Sequence, residues 1–375
     1  MVDLKGQYLK IKEEVDAALQ DVIDHTAFIN GPAVMEFSQN LSEYLGGGHV
    51  ITCGNGTDAL QIALMALGLK PGDEVIVPAF TYVASAEVIG LLGLTPVMVD
   101  VDYDTFNVTI DHIKNALTEK TKAVIPVHLF GQSCDMEPIL DFAKEHGLYV
   151  IEDNAQAIGA TYTFSDGHQE KTGTMGTVGC TSFFPSKNLG CYGDGGAIFC
   201  KDDGLAERLR MIANHGQKIK YHHSVIGCNS RLDSVQAAIL NVKLKHLDEY
   251  GKARQEAAHY YTERLKAFDS EQVYFMTPKE LEKSTHVYHQ YTLRIKQGKR
   301  DDLKLYLADL GIPSMIYYPL PLQEQEAFMG IARAADSLSA AKETAESVLS
   351  LPIHTEMTKD IQDRIVDAII DFYKK

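Results

Sequence analysis

From residue 49 onward, short runs of β-branched and apolar residues alternate with longer stretches in which apolar residues recur at helical spacing. Strands that alternate with helical patterns of roughly 10 to 15 residues are typical of a largely parallel sheet covered by helices on both faces. In such a sheet, ligands bind at the carboxyl ends of the strands. We therefore predict an α/β fold, with strands at 50–53, 74–77, 97–99, 123–127 and 149–152 and helices at 57–67, 82–91, 110–117 and 136–146.

The segments on either side of this region predict how the rest of the chain is divided. Apolar spacing predicts helices over 5–24 and 33–44 before it, and a strand at 197–201 with a helix at 204–214 after it. A long helical pattern with a bend, 233–268, would then lead into a small α+β domain. We predict a large domain over residues 1–245, which includes the N-terminal helical segment, and a small domain over 246–375, with strands at 288–295 and 314–317 and helices at 301–310, 337–349 and 359–373.

The composition argues against several classes of function. A formal charge of −16 on 375 residues disfavours a nucleic-acid partner, because phosphate binding normally requires a basic face. The chain has no run of about 18 apolar residues, so no membrane span is predicted, and the absence of an apolar signal core predicts a cytoplasmic protein. The six cysteines are scattered without a C-x-x-C pair, which favours neither a disulfide framework nor a zinc site. His286 and His289 fall on opposite faces of a predicted strand, so no shared metal is expected.

A lysine lies among turn-forming residues in the segment C-T-S-F-F-P-S-K-N-L-G-C-Y-G-D-G-G-A, residues 180–197. Pro185 precedes Lys187 and Gly190 follows it. A lysine on a tight turn between two strands is held in place, and a desolvated amine loses its proton readily and forms a Schiff base with a carbonyl. The alternative is an ordinary solvated lysine, so the interpretation depends on other segments.

The segment G-N-G-T-D-A-L, residues 54–60, joins a predicted strand to a predicted helix. Glycines let the backbone approach an anion, and the free N–H groups of a helix N-terminus favour a phosphate. Gly56, Thr57 and Asp58 are therefore a candidate phosphate cup, although Thr57 could equally be a simple N-cap. Ala59 stands where a G-x-G-x-x-G motif needs its third glycine, which argues against a Rossmann dehydrogenase.

Asp153 follows the predicted strand at 149–152. An acid at the end of a buried strand is costly unless it caps a helix or meets a cation, hydrogen-bond donors or a ligand. A pyridoxal phosphate site needs an amine, a carboxylate beside the pyridine nitrogen, a phosphate cup and an aromatic face. Lys187, Asp153, the Gly56–Asp58 segment and Tyr82 could supply these in turn, and Ser182 could add a hydroxyl to the phosphate.

Nine short motifs occur along the chain: F-I-N-G-P (28–32), G-N-G-T-D-A-L (54–60), P-A-F-T-Y (78–82), V-H-L-F-G (127–131), E-D-N-A-Q (152–156), S-F-F-P-S-K (182–187), G-D-G-G (193–196), N-S-R (229–231) and H-V-Y-H (286–289). In this order, the set resembles the DegT/DnrJ/StrS sugar aminotransferases, which are pyridoxal phosphate enzymes of fold type I. The resemblance covers nearly the whole chain. It implies a large domain with a mostly parallel mixed sheet covered by helices, and a smaller C-terminal α+β domain.

The resemblance also implies roles for individual residues. Lys187 would form the Schiff base, Asp153 would bind the pyridine nitrogen, Gln156 would lie at the ring hydroxyl and Tyr82 would stack on the ring. The phosphate would be held by Gly56, Thr57, Asp58 and Ser182, joined by Asn229 of the neighbouring subunit in a homodimer with shared active sites. Arg231, which would also cross the interface, and Tyr318 would contact the substrate. For Asn229 and Arg231 the alternative is a solvated loop.

By resemblance, the reaction is a ping-pong transfer of an amino group, from glutamate to a nucleotide-linked keto sugar, in the synthesis of cell-surface polysaccharide or lipopolysaccharide. Members of the family that act at C4 of the sugar commonly carry His where this chain has Phe184. The following residues look closest to enzymes that aminate C3 of UDP-2-acetamido-2-deoxy-3-oxo-glucuronate, and Arg231 would then pair with the sugar carboxylate. A basic loop formed by Lys218, Lys220, His222 and His223 suits a nucleotide diphosphate, or is an ordinary charged surface loop.

Several alternatives stay open. The substrate could be a dTDP-linked 3-keto-6-deoxyhexose, or the enzyme could act at C4 of the sugar. Sugar dehydratases of this fold carry His in place of the lysine, so Lys187 argues against them. A non-catalytic regulator that retains the cofactor has little reason to keep Lys187, Asp153, Gln156 and Ser182. Gln323 stands where the family often has His, which affects the predicted substrate contacts of this region.

Overall fold

An eight-stranded sheet forms the centre of the computed structural model, which describes residues 1–375. Its strands lie in the order β1-β9-β8-β5-β4-β2-β3-β14. Only β9 runs against the others, so the sheet is mixed but mostly parallel, as predicted. The strands are β1 (His49–Cys53), β2 (Glu74–Pro78), β3 (Thr95–Val99), β4 (Thr121–Val124), β5 (Tyr149–Asp153), β8 (Val178–Ser182), β9 (Gly196–Cys200) and β14 (Arg333–Ala334).

Helices cover both faces of this sheet because its inner strands are buried at most positions, on both faces. In β2, Val75 and Val77 join one core while Ile76 joins the opposite one, as expected for side chains that alternate along a strand. The helices of this part of the chain are α1 (Leu4–Lys10), α2 (Lys12–Asp24), α3 (Pro32–Tyr44), α4 (Gly56–Leu67), α5 (Ala84–Leu91), α6 (Ile110–Ala116), α7 (Met136–His146), α8 (Asp203–Ala213) and α9 (Ser234–Leu244). Two hairpins, β6 (Thr161–Thr163) with β7 (Gln169–Lys171) and β10 (Gln217–Ile219) with β11 (His222–His223), lie outside the sheet.

A second, antiparallel sheet follows the long helix α10 (Leu247–Phe268). Its strands are β12 (Phe275–Met276), β13 (Tyr291–Ile295) and β15 (Val348–Leu351), and α11 (Arg300–Asp309), α12 (Ser339–Ser347) and α13 (Lys359–Lys374) complete this part. Tyr261, Leu293 and Ile369 belong to its separate core. Leu322 and Phe328 pack into the first core instead, and β14 pairs with β3, so the chain after residue 246 also contributes to the large sheet. The predicted domain boundary at 245 stays a prediction.

Three predicted elements are wrong. Residues 314–317 form no strand and make only an isolated bridge from Met315 to Ser350. The predicted helix 337–349 ends at Ser347, because Val348–Leu351 pairs with β13. The predicted strand at 288–295 begins at Tyr291, so His286 and His289 lie in irregular chain rather than on the two faces of a strand. In each case long-range pairing decided between local patterns that the sequence leaves ambiguous. None of the helices is both long and apolar enough to cross a bilayer.

The middle of the sheet is packed so closely that one position requires glycine. A Cβ on Gly179 of β8 would lie 1.9 Å from the carbonyl oxygen of Gly173. We expect Gly179→Ala to lower the free energy of unfolding by about 3 kcal/mol, measured by urea denaturation, because the backbone of residue 173 must move. Gly251→Ala is the control: in the second turn of α10 its methyl group would lie 3.9 Å from Val287, and we expect a gain of up to about 1 kcal/mol. A Gly179→Ala protein as stable as the wild type would contradict this packing.

Candidate active site

A cavity of about 660 Å³ opens at the carboxyl edge of the large sheet. The ends of β1, β2, β5 and β8 lead into its lining, which is the edge where ligands bind in open α/β folds. Nine of the predicted site residues line it: Gly56, Thr57, Asp58, Tyr82, Asp153, Gln156, Ser182, Lys187 and Tyr318. The folded chain therefore brings together residues that are far apart in the sequence.

Lys187 lies on a closed turn between β8 and β9. At the base of the turn, Cys191 N–H donates to the carbonyl of Phe183 at 2.8 Å, and near its tip Lys187 N–H donates to the carbonyl of Phe184 at 2.8 Å. Gly190 is required here, because a Cβ would lie 2.5 Å from the carbonyl oxygen of Pro185. Burial lowers the pKa of the Lys187 amine to about 8, an effect that the negative charge of Asp153 partly offsets. An amine with this pKa is a competent nucleophile near neutral pH.

Asp153 ends β5 and is only 5% exposed. Ser85 Oγ donates to Asp153 Oδ2 at 2.7 Å, and the Ala155 N–H donates to Oδ1 at 3.1 Å. Asp153 caps no helix, which removes the simplest structural alternative for this acid. Its carboxylate is held at the cavity wall in one orientation, and Ser85 is a contact that the sequence did not indicate.

A second carboxylate, Glu152, lies directly behind Asp153 and is fully buried. It accepts hydrogen bonds from His128 Nε2 at 2.8 Å and from the backbone N–H groups of Gly173, Met175 and Gly176 at 2.6 to 2.7 Å. His128 Nδ1 accepts from the Cys134 N–H at 3.1 Å, so the proton of a neutral imidazole is on Nε2, which donates to Glu152. This network attaches the end of β5 to two neighbouring loops, and so it fixes Asp153 from behind.

The N-terminus of α4 forms one end of the cavity. Asn55 Oδ1 accepts the Asp58 N–H at 2.8 Å, while the N–H groups of Gly56 and Thr57, in the first turn, have no partner within the helix. A Cβ on Gly56 would lie 2.7 Å from Ser182 Cβ, so glycine permits the close approach of these two segments. The two free amides and the Ser182 hydroxyl form a cradle suited to a phosphate. The Asp58 carboxylate instead accepts a 2.5 Å hydrogen bond from Ser230 Oγ.

Aromatic and amide side chains form the opposite wall. Gln156 Oε1 accepts the Phe130 N–H at 2.7 Å, and Gln156 Nε2 donates to the Tyr318 hydroxyl at 3.0 Å. The rings of Tyr82 and Tyr318 lie 6.1 Å apart, and Tyr82 is 56% exposed. Burial raises the pKa of Tyr318, so its hydroxyl stays protonated. A flat heteroaromatic ring would meet an aromatic face here and a hydrogen-bonding amide beside it.

Two predicted residues do not line this cavity. Asn229 is exposed and pairs with Asn214 through an isolated bridge, and Arg231 is half-buried nearby. Ser230, between them, contacts Asp58 of the same chain. This segment therefore touches the back of the cradle without entering the cavity.

The structure also adds His289 to the site. It lines the cavity together with Lys187, it is 5% exposed, and its buried Nδ1 has no hydrogen-bond partner. Burial, followed by the positive charges of Lys187 and Arg254, holds the pKa of His289 well below its usual value, so the ring is neutral. The H-x-x-H motif is the sequence signal for this residue, although its Val/Tyr context predicts a strand, whereas the structure has irregular chain there.

The residues present fit pyridoxal phosphate. A nucleophilic lysine and a fixed carboxylate share one cavity with an aromatic face and a helix N-terminus whose glycine leaves space for an anion. These are the four groups that the chemistry of this cofactor requires. Lys187, Asp153, Tyr82 and the Gly56–Ser182 cradle would hold it.

The comparison with protein families supports this assignment. Residues 9–370 match the model of the DegT/DnrJ/EryC1/StrS aminotransferase family. The chain is 47% identical over its full length to a Geobacillus stearothermophilus protein named pleiotropic regulatory protein, of which it covers 98%. It is 46% identical, over 94% of both chains, to the UDP-2-acetamido-2-deoxy-3-oxo-D-glucuronate aminotransferase of Pseudomonas aeruginosa. The dTDP-3-amino-3,4,6-trideoxy-alpha-D-glucose transaminase of Streptomyces venezuelae is 38% identical over 100% of this chain and 96% of that one.

Solved structures agree with the sequence relatives. A DegT/DnrJ/EryC1/StrS aminotransferase from Brucella abortus superimposes with a TM-score of 0.94 at 40% identity, over 100% of this chain and 99% of that one. The NtdA structure from Bacillus subtilis, which contains the bound cofactor PMP, gives a TM-score of 0.89 at 31% identity, over 98% of this chain and 82% of that one. The chain belongs to the DegT/DnrJ/EryC1/StrS aminotransferase family, and it is a sugar aminotransferase whose cofactor is pyridoxal phosphate.

Proposed function

We propose that this enzyme transfers the amino group of glutamate to C3 of UDP-2-acetamido-2-deoxy-3-oxo-glucuronate. The observation that carries the transfer chemistry is the presence of Lys187 and Asp153 in one cavity. The choice of sugar is supported by the 46% identity to the Pseudomonas aeruginosa enzyme of that name. A product of this kind would serve the synthesis of cell-surface polysaccharide or lipopolysaccharide in the cytoplasm.

Bound pyridoxal phosphate supplies a ring that withdraws electrons from the substrate carbon next to the transferred nitrogen. Lys187 attaches the cofactor and, once free, takes a proton from that carbon at Nζ and returns it at the adjoining position. The lowered pKa of Lys187 suits this role, since an ammonium could not accept the proton. Asp153, oriented by Ser85, accepts the hydrogen bond of the protonated pyridine nitrogen. The neutral His289 leaves Asp153 as the charged neighbour of Lys187 within the cavity.

The other cavity residues bind and orient. The amides of Gly56 and Thr57 and the hydroxyl of Ser182 hold the phosphate, and Gln156 lies at the ring hydroxyl. Tyr82 covers the ring. Tyr318, fixed by Gln156, faces the side from which the sugar enters. For Asp58 we propose an indirect role, because its carboxylate is bound by Ser230 and would repel a phosphate.

We further propose a homodimer in which Asn229 and Arg231 complete the partner's active site. Both residues lie outside the cavity of their own chain. The adjoining hairpin exposes a group of large apolar side chains, which is unusual on a free surface: Ile219, Tyr221 and Ile226. Of the basic residues in this loop, Lys218 pairs with Glu207. A role for Lys220, His222 and His223 in binding a diphosphate stays a prediction.

Three alternatives differ from this proposal in the sugar, in the carbon that is aminated or in the class of function. The identity to a Streptomyces venezuelae dTDP-sugar transaminase supports a dTDP-linked 3-keto-6-deoxyhexose as the second candidate substrate. Enzymes that act at C4 are expected to carry His at position 184, where this chain has Phe184, half exposed at the cavity. Amination at C4 would therefore require another residue to supply the missing contact. One relative is named a regulatory protein. This chain keeps a complete set of reactive groups around the cavity, which a regulator would not need.

The pKa of Lys187 predicts how cofactor attachment depends on pH. Because burial lowers this pKa to about 8, the amine is uncharged above that pH and becomes an ammonium as the pH falls. When pyridoxal phosphate is mixed with cofactor-free protein, we expect the growth rate of the visible absorbance band to rise with pH, with a midpoint of about 8, rather than about 10.4, the ordinary value for lysine. Lys187→Ala should fold but show neither the band nor transamination, whereas Lys70→Ala, at an exposed lysine, should behave as the wild type. A Lys187→Ala protein that transaminates at the wild-type rate would show that the role is misassigned.

The substrate can be tested by mass spectrometry of the products formed from glutamate and two keto sugars generated in situ. We expect amination of the UDP-linked uronate. Arg231→Leu should lower kcat/KM for this sugar about 10- to 100-fold, because a charge-assisted hydrogen bond to the carboxylate is lost. The same change should have little effect on a 6-deoxy sugar, and Arg208→Leu, at an exposed arginine, should affect neither. Turnover of the dTDP-linked deoxy sugar alone would reject the uronate.

Mixing two impaired variants, and measuring activity on the uronate above that of each variant alone, tests the shared site. In a heterodimer of Lys187→Ala and Arg231→Leu subunits, one of the two sites has both residues intact if Arg231 acts across the interface. We expect the refolded mixture to recover about one quarter of the wild-type activity, since random pairing makes half of the dimers mixed. Recovery of no activity from a mixture that is dimeric by light scattering would mean that Arg231 acts within its own subunit.

A further inference from the structure

The turn that carries Lys187 rests on one face of helix α9. Gln236 and Lys243 are seven residues apart, which places them two helical turns apart on the same face. The Tyr192 N–H donates to Gln236 Oε1 at 2.9 Å, and Lys243 Nζ donates to the carbonyl oxygen of Gly190 at 2.5 Å. The chain leaving Lys187 is therefore attached to a single rigid element at two points.

Lys243 is an unusual residue to find at this position. Its side chain is only 1% exposed, and it forms no ion pair with any carboxylate. Its contacts are the Gly190 carbonyl and the ring of Tyr192, whose centroid lies 5.4 Å away. Burial lowers the pKa of Lys243 to about 8. An amine buried without an opposite charge is costly, and an apolar side chain of similar length would avoid that cost.

The turn transmits a displacement of Gly190 to Lys187 over a short distance. Gly190 lies close against the first half of the turn, since a Cβ at this position would meet the carbonyl oxygen of Pro185 at 2.5 Å. Between Lys187 and Gly190, Asn188 Nδ2 donates to the carbonyl of Val287 at 2.9 Å. Lys243 is the side chain that holds the Gly190 carbonyl, and nothing in the cavity touches it.

We propose that Lys243 is a positioning residue of the active site, which holds the Gly190 carbonyl and so sets the direction in which Lys187 enters the cavity. Gln236 assists by fixing the Tyr192 amide. This inference rests on the proposed role of Lys187, and neither Lys243 nor Gln236 lines the cavity.

The test uses the cofactor-loaded enzyme and needs no sugar. We expect Lys243→Met to shift the pH midpoint of the visible band by about half a unit or more, because the nitrogen on Lys187 is reoriented relative to the Asp153 carboxylate, whose charge raises its pKa. The rate at which hydroxylamine releases the cofactor from Lys187 should change by about threefold or more, because the attachment is reoriented. Lys245→Met is the matched control: it removes the same charge from an exposed position two residues further on, and both readouts should equal those of the wild type.

A purely structural role would lower the melting temperature of Lys243→Met and leave both readouts unchanged, and that result in a folded protein would overturn the proposal. If Lys243→Met does not fold by circular dichroism, Gln236→Leu replaces it, since Gln236 is half-buried. We expect Gln236→Leu to change the hydroxylamine rate, because the Tyr192 amide loses its acceptor and the turn is released at one of its two attachments; a wild-type rate would overturn the proposal. A different outcome would refute the role of Lys187 itself. That outcome is a wild-type enzyme with no visible band, or with a band that remains in Lys187→Ala.

Discussion

The fully buried carboxylate of Glu152 organises the edge of the sheet at which this enzyme works. A charge with no access to water is tolerated only when donors surround it, and here three backbone amides and one imidazole do so. Those donors come from the loop after β7 and from the segment after β4. Because one acid binds both, the end of β5 and its neighbours form a single unit. Asp153, the next residue, therefore faces the cavity from a backbone that cannot shift.

Burial then determines the charge state of the groups that face Asp153. Lys187 and His289 lie in a region where desolvation disfavours positive charge, and the pKa of each is lowered. Asp153 is stabilised as an anion by the Ser85 hydroxyl and the Ala155 amide. The cavity thus combines a fixed negative charge with an amine that loses its proton easily. This pairing is what a cofactor with a protonated ring and a carbonyl group requires.

The sequence predicted the alternating strands and helices of the large sheet well, because strands buried on both faces are continuous apolar runs that contrast with the amphipathic helices between them. It failed where a segment's structure depends on a distant partner. Residues 348–351 continue a helical pattern yet pair with β13, and residues 314–317 have strand composition but make only one bridge. Most residues lining the cavity were identified through motifs. Ser85 has no local signal that distinguishes it from an ordinary core residue, and the H-V-Y-H motif does not by itself place His289 in the cavity.

The sequence by itself determined which reactive groups the chain carries and that they follow strands and turns: a lysine between turn formers, an acid after a buried strand, and glycines before a helix. The sequence gives the chemical type of each of these groups directly, and the local conformation of each depends on neighbours within a few residues. Only the tertiary structure decided that these groups share one cavity, that Ser85 and Glu152 fix the acid, and that α9 supports the turn of Lys187. The physical reason is that strand order and helix packing arise from contacts between residues far apart in the chain, which no short segment encodes.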